Sequence, residues 1–287
     1  MRRLDLELIA RRPGLSRRRA QAAIEKGQVT LSGVVVREPG RLVPEDADVA
    51  FDPNRPALAR ARLDLPRLFE DEHLLVVDKP AGLLSVPTPG GDEDSVLARV
   101  TAYAKRLRRG GFVRAVHRLD RETSGTLALA LSHEAAAGLI ALFRDHRIER
   151  RYRCLVLGRP AADAGRIEAP IRDLYAGGRR GVARPGEPAQ PAVSHWRVVE
   201  RLPAAALIEV ELQTGRQHQI RAHLTHIGLP VLGDVVYGAA KAPIRVDRML
   251  LHAAVLGFVH PVTDRVLRVE SPLPADFKRA LAVLRRR

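Results

Sequence analysis

The clearest regularity in the chain is an alternation over residues 126–131. Leu127, Leu129 and Leu131 fall on one side and Thr126, Ala128 and Ala130 on the other, the period of a half-buried strand. Similar runs are LLVVD at 74–78, the stretch carrying Tyr152, Cys154 and Val156, and Ile208, Val210 and Leu212 alternating with Glu209, Glu211 and Gln213. Helical periods lie between them. Ser132 is placed to cap a helix whose Leu139 and Phe143 share a face, and residues 95–107 predict another. Within 214–228, Ile220, Leu224 and Ile227 form one stripe and His218, Arg221 and Thr225 a second; Gly228 and Pro230 end the helix. The Gly-, Pro- and Arg-rich residues 176–191 read as a mobile loop.

The first fifty residues are built on a smaller scale. Leu4 and Leu8 stand one helical turn apart, and Ser16 is an N-cap for a second helix that turns Ala20, Ala23 and Ile24 inward, with Gly27 past its end. VTL and VVV, at 29–31 and 34–36, flank Ser32 and Gly33 as a hairpin. Residues 52–66, with Pro53, Pro56 and Pro66, read as an interdomain linker.

Charge changes this picture. Lys and Arg number 48 against 33 Asp and Glu, a formal +15, which points to a phosphate-rich partner, nucleic acid before membrane. Part of the excess is concentrated where it opposes the local structure: Arg17, Arg18 and Arg19 open the second helix, against its dipole, and an anion such as a phosphate backbone would offset them. Lys105, Arg106, Arg108, Arg109 and Arg114 form a second basic strip. Aromatic residues are only 4%, too few for a broad base-stacking platform. The single cysteine, Cys154, excludes an internal disulfide framework and a thiolate metal cage. With no signal-like segment and no run of membrane-spanning length, the expected location is the cytoplasm.

The densest chemistry is HRLDRETSG, residues 117–125, a polar loop leading into the alternating strand, with Gly125 supplying backbone freedom at the join. Asp120 sits there between Arg118 and Arg121, and nearby positive charge favours its ionised form, as suits a nucleophile or general base. Arg221, on the polar helix stripe, could pair with a buried carboxylate. His218, His223 and His226 invite a metal reading, but the helix separates the first two and no carboxylate stands at ligand spacing, so no metal is expected.

Two resemblances draw these residues together. Two helices, the second basic, followed by a small hairpin resemble the alpha-L type RNA-binding module over roughly residues 3–52. HRLD-x-x-TSG at 117–125, Arg150-Arg151-Tyr152 and TGR-x-HQIR-x-HL at 214–224, with KPAGLLSVP and LPVLGDVVYG, resemble the RluA-type pseudouridine synthase family over nearly the whole chain. Arg150 replaces a usual lysine, and Leu229 stands where a histidine is common. The resemblance implies isomerisation of uridine in ribosomal RNA or tRNA, with Asp120 in the catalytic position, Tyr152 stacking on the target base and Arg221 pairing with Asp120. No cofactor or group donor is required. RNA contacts are expected from Arg17, Arg18, Arg19, His117, Arg118, Arg150 and Arg216.

The expected fold is α+β: a small αβ RNA-binding domain with linker over 1–60, then a catalytic domain over 61–287 on a mixed, largely antiparallel sheet with flanking helices. A monomer is expected, acting on RNA and on neither DNA nor membrane. The competing readings are a non-catalytic RNA-binding or ribosome-assembly factor and a hydrolytic N-glycosidase; Asp120 and Tyr152, both present, argue against the first.

Overall fold

A computed structural model describes residues 2–31, 33–36, 38–44, 46–54, 63, 65–88, 94–106, 111–172, 180–238 and 244–286. Ser32, Pro56, Leu107, Arg108, Arg109, residues 176–179 and the expected boundary at 60/61 lie outside them. The chain divides into two compact units, Met1–Asp64 with Val86–Gly111, and Leu65–Ser85 with Phe112–Arg287.

In the first unit the small apolar set dictates the packing. Helices Leu4–Arg11 and Arg17–Glu25 bring Leu4, Leu8, Ala20, Ala23 and Ile24 against Val29, Val36 and Val43. Ser16 caps the second helix by accepting from Arg19 N, and Gly27 takes a left-handed φ of 74° after its end. Strands Val29–Leu31, Val34–Val35 and Val49–Phe51 form a small antiparallel sheet. Helix Val96–Arg106 also belongs to this unit.

The second unit is a ten-stranded sheet. Its main path runs Ala164–Glu168, Val193–Arg201, Ala205–Leu212, Glu149–Leu157, Leu251–Val259, Ser124–Ala130, Leu74–Lys79, Arg67–Glu70. Every pairing is antiparallel except that of Leu251–Val259 with Ser124–Ala130, which joins at only two positions, His252↔Ser124 and Ala253↔Gly125. Beyond that short join each strand takes a different neighbour: Val266–Glu270 pairs with the first and Arg114–Ala115 with the second. The largely antiparallel mixed sheet is the one expected.

Helices cover the sheet where its residues are apolar. Ile220 and Leu224 of helix Gln219–His226 pack on Cys154, Val156, Ile208 and Val210. The terminal helix Ala275–Arg285 lays Phe277, Leu281 and Leu284 on Leu155 and Leu207. Helix His133–Arg144, capped by Ser132, packs Ala135, Ala136 and Leu139 on Ala128 and Ala130. That contact corrects one expectation: Ser124–Ala130 is buried at all seven positions, a central strand and not a half-exposed one. Ile227 is a second correction, because it caps the helix end and is exposed, leaving the apolar stripe to Ile220 and Leu224. The expected mobile loop contains order: Gly181–Val182 and Ala189–Gln190 both pair with Ile171–Arg172. No described helix is long and apolar enough to cross a membrane.

Candidate active site

The loop 117–125 is held from beneath by residues 79–85. Leu119 binds Ser85 twice, its N–H donating to Oγ at 2.9 Å and its carbonyl accepting from Oγ at 2.7 Å. The carbonyl of Arg121 accepts from Gly82 N at 2.8 Å and from Lys79 Nζ at 2.9 Å. Lys79 donates also to Pro80 O at 3.0 Å and Leu83 O at 2.7 Å, so one ammonium gathers three carbonyls from two segments. It is wholly buried, and that burial brings its pKa down to about 7. A turn lysine in the sequence is thus an interior brace.

Sheet register sets the next layer. Lys79, Gly125, Ala253, Tyr152 and Val210 lie abreast across five strands. Gly125 has φ 113°, and a Cβ there would meet the carbonyl oxygen of Ala253 at 2.1 Å. Only glycine lets the two parallel strands touch, and their touching brings the Asp120 loop beside the strand of Tyr152.

Asp120 does not take its counter-ion from its neighbours in sequence. Arg121 turns away and donates to Gly82 O at 3.1 Å, while Arg118 is exposed and has no partner among the described residues. The cation is Arg221, 101 positions away, whose Nη1 donates to Asp120 Oδ2 at 3.1 Å. Arg221 is fixed in turn by Asp234 in a two-point pair, Nε to Oδ2 at 2.7 Å and Nη2 to Oδ1 at 2.9 Å, and lies over the Tyr237 ring at 4.9 Å. Burial works against the guanidinium charge, but Asp234 and then Asp120 outweigh it and the Arg221 pKa is raised. Asp120 Oδ1 has no partner among the described residues. The helix start that carries Arg221 is pinned by Gln219, which accepts from Thr214 Oγ1 and Arg216 N and donates to Val193 O and Ser194 Oγ.

Around this pair stand His218 and Tyr237. His218 Nε2 lies 3.7 Å from Asp120 Oδ2, and its Nδ1 is 3.1 Å from the Tyr237 hydroxyl. Tyr152 is half-buried; burial raises its pKa, Arg150 opposes the rise, and the Asp120 charge adds to it. The expected pairing of Asp120 with Arg221 is therefore present, with Tyr152 within electrostatic reach. Asp234, Lys79, His218 and Tyr237 were absent from the expected set.

Several expected RNA contacts have other employment. His117 stacks on Phe143 at 4.7 Å and its Nε2 accepts from Ala128 N at 2.9 Å; burial, then Arg150, lowers its pKa to about 3, so it offers no charge to phosphate. Arg150 is buried and donates to Leu212 O and Gln213 O, which Gly215 permits by having no side chain beside its guanidinium. Arg216 donates to Pro191 O. Arg17 donates to Asp5, a buried carboxylate also served by Arg3 and Gln21. Burial alone would raise the Asp5 pKa, but those bonds bring it to about 2. Arg18 and Arg19 are exposed, their side chains without partners among the described residues. The three histidines of 218–226 do not converge: His223 lies between Ser194 Oγ and Ala169 O, and His226 is exposed.

Comparison with known proteins adds relatives to this geometry. Residues 73–226 match the RNA pseudouridylate synthase family and residues 2–49 the S4 domain. A protein named ribosomal large subunit pseudouridine synthase D from Zymomonas mobilis is 38% identical, covering 96% of this chain and 92% of its own length. Its namesake from Pseudomonas aeruginosa is 35% identical, with 95% and 89% covered. Among solved structures, human RNA pseudouridylate synthase domain containing 4 superposes with a TM-score of 0.64 at 27% identity, covering 77% of this chain and 93% of that one.

Proposed function

The chain belongs to the RNA pseudouridylate synthase family, isomerases of uridine in RNA, and we propose that its target lies in the RNA of the large ribosomal subunit. Two relatives bearing that activity in their names align over nearly their full length, N-terminal module included. The isomerisation breaks the bond from ribose C1′ to uracil N1 and forms one from C1′ to C5. The proton leaves C5 and N1 gains one, so nothing is oxidised and no group is donated.

We assign Asp120 as the catalytic carboxylate, Arg221 as its partner and Tyr152 as the ring that receives the base once it has left its stack. The observation that carries this assignment is the asymmetry of the carboxylate. Oδ2 is tethered to Arg221, whereas Oδ1 is free of partners among the described residues and available to attack or to take a proton. The N-terminal module, 1–60, supplies affinity through Arg18 and Arg19, and residues 61–287 carry the chemistry. The proposed state is a monomer in the cytoplasm, with neither DNA nor membrane as partner.

Asp120→Asn tests the assignment, since it preserves shape and removes charge. Pseudouridine formation on ribosomal RNA should fall below detection while RNA affinity stays within about twofold. Retention of a tenth of wild-type turnover would remove Asp120 from the role.

A further inference from the structure

We propose that His218 and Tyr237 form a hydrogen-bonded relay that fixes the histidine tautomer and thereby holds Asp120 Oδ2 in place, leaving Oδ1 as the reacting oxygen. The inference rests on the reading of Asp120 as the catalytic carboxylate and deepens it by naming a positioning pair.

The direction of each bond follows from its neighbours. Burial raises the Tyr237 pKa; Arg221 and then a hydrogen bond to the Arg180 backbone oppose the rise, the latter as an N–H donor to a phenol oxygen does. The hydroxyl proton is then directed to the other partner, His218 Nδ1, 3.1 Å away. A Nδ1 that accepts leaves the ring proton on Nε2. That nitrogen lies 3.7 Å from Asp120 Oδ2, the same oxygen that Arg221 binds at 3.1 Å. Arg221 thus donates to this carboxylate oxygen while the histidine N–H faces it from a second side. At 3.7 Å the histidine is just beyond hydrogen-bond length, close enough to tighten as charge shifts on the carboxylate.

The imidazole is held where this requires. His218 has φ 58° and ψ 15°, left-handed and uncommon outside glycine, directly before the helix whose first turn Gln219 pins. Its ring meets that of Tyr237 edge-on, centroids 5.8 Å apart and planes at 83°. The charges facing it are Asp120, Arg221, Asp234 and Arg180; burial, aided by the two arginines, outweighs the two carboxylates and depresses its pKa, so the ring is neutral at neutral pH. Protonation would place a second donor on Nδ1 opposite the Tyr237 hydroxyl, which could accept it only by surrendering its own bond.

The test uses the full-length protein. In the free wild type, nitrogen NMR of the histidines should find His218 neutral with its proton on Nε2, and Tyr237→Phe should abolish the preference. His218→Leu should lower kcat about tenfold or more, the scale on which supporting bonds to a reactive group act, with KM within about twofold. His218→Gln, whose amide N–H can stand in for Nε2–H, should retain most of kcat. The Tyr237 bond stabilises the neutral ring, so Tyr237→Phe should raise the His218 pKa and move the acid limb of kcat to higher pH. A proton found on Nδ1, wild-type kcat in His218→Leu, or an unmoved acid limb in Tyr237→Phe would each overturn the relay. The tautomer is read without substrate, so a failure of the relay is distinct from a failure of the Asp120 assignment, which would show as turnover by Asp120→Asn.

Discussion

Replacing Arg221 by methionine separates what holds the site together from what makes it react. The side chain is 8% exposed and joins two carboxylates, Asp234 at 1% and Asp120 at 19%. Methionine keeps much of the apolar stem but orphans both charges, Asp234 almost completely. Breaking a buried pair from one side costs about 3–5 kcal/mol. At about 2–4 °C per kcal/mol for a domain of this size, Arg221→Met should melt roughly 6–20 °C below wild type. Adding Asp234→Asn should recover most of that loss. An asparagine Oδ1 can still accept from Val236 N and Tyr237 N, as Asp234 does at 3.0 and 3.1 Å, and a neutral amide leaves no buried charge. Turnover should behave otherwise. Both the single and the double variant lack the guanidinium at Asp120, so kcat should stay down by about a hundredfold or more in each. Thermal melts and pseudouridine formation on the same preparations supply both halves. Should the double variant regain turnover together with stability, Arg221 would be acting only through the fold and its proposed part beside Asp120 would be wrong.

Three further outcomes follow from the same geometry. Gly125→Ala puts a Cβ at 2.1 Å from Ala253 O on a backbone of φ 113°, so it should part the two central strands and cost several kcal/mol; a melt within about 2 °C of wild type would contradict the join described. His117 is neutral in the fold, with a pKa near 3 against an ordinary value near 6.5, so the unfolded chain binds its proton first on acidification. Its stability contribution is complete above about pH 6.5 and is lost as pH falls toward 3, at up to about 1.4 kcal/mol per pH unit; urea titrations should show a shallower decline in His117→Gln, and an unchanged slope would refute the neutral assignment. Arg18→Ala and Arg19→Ala should each reduce the log–log salt slope of RNA binding by roughly 0.7–0.9 with little change in melting, whereas Arg17→Ala should chiefly destabilise the module by removing a donor from buried Asp5; equal slopes in Arg18→Ala and wild type would exclude the Arg18 contact.

What could be read from the sequence, and what could not, divides along one physical line. Features set by a few adjacent residues were legible: Ser16 and Ser132 cap helices, Gly27 and Gly228 end them, and the period-2 runs are strands. The pairing of Asp120 with Arg221 was legible through the likeness of two motifs, not through spacing, since 101 residues separate the partners. Burial was not legible, and it decides the rest. Arg118 and Arg121 looked like the natural counter-ions of Asp120 because they flank it, yet a loop aims successive side chains in different directions, and Arg121 points to Gly82 O. Arg150 was an expected RNA contact and Lys79 read only as part of a turn; both are inside, bonded to carbonyls. Asp234 had one available signal. A guanidinium carries five N–H donors, a single carboxylate can face only two of them side-on, and an Arg221 buried for the sake of Asp120 leaves the remaining donors needing an acceptor. The acid in LPVLGDVVYG was the candidate to supply it. Net charge therefore names the class of partner, while internal bonding selects which cations can meet it: Arg17 is bonded to Asp5, so under the proposed function the RNA contacts of the module's second helix are assigned to Arg18 and Arg19.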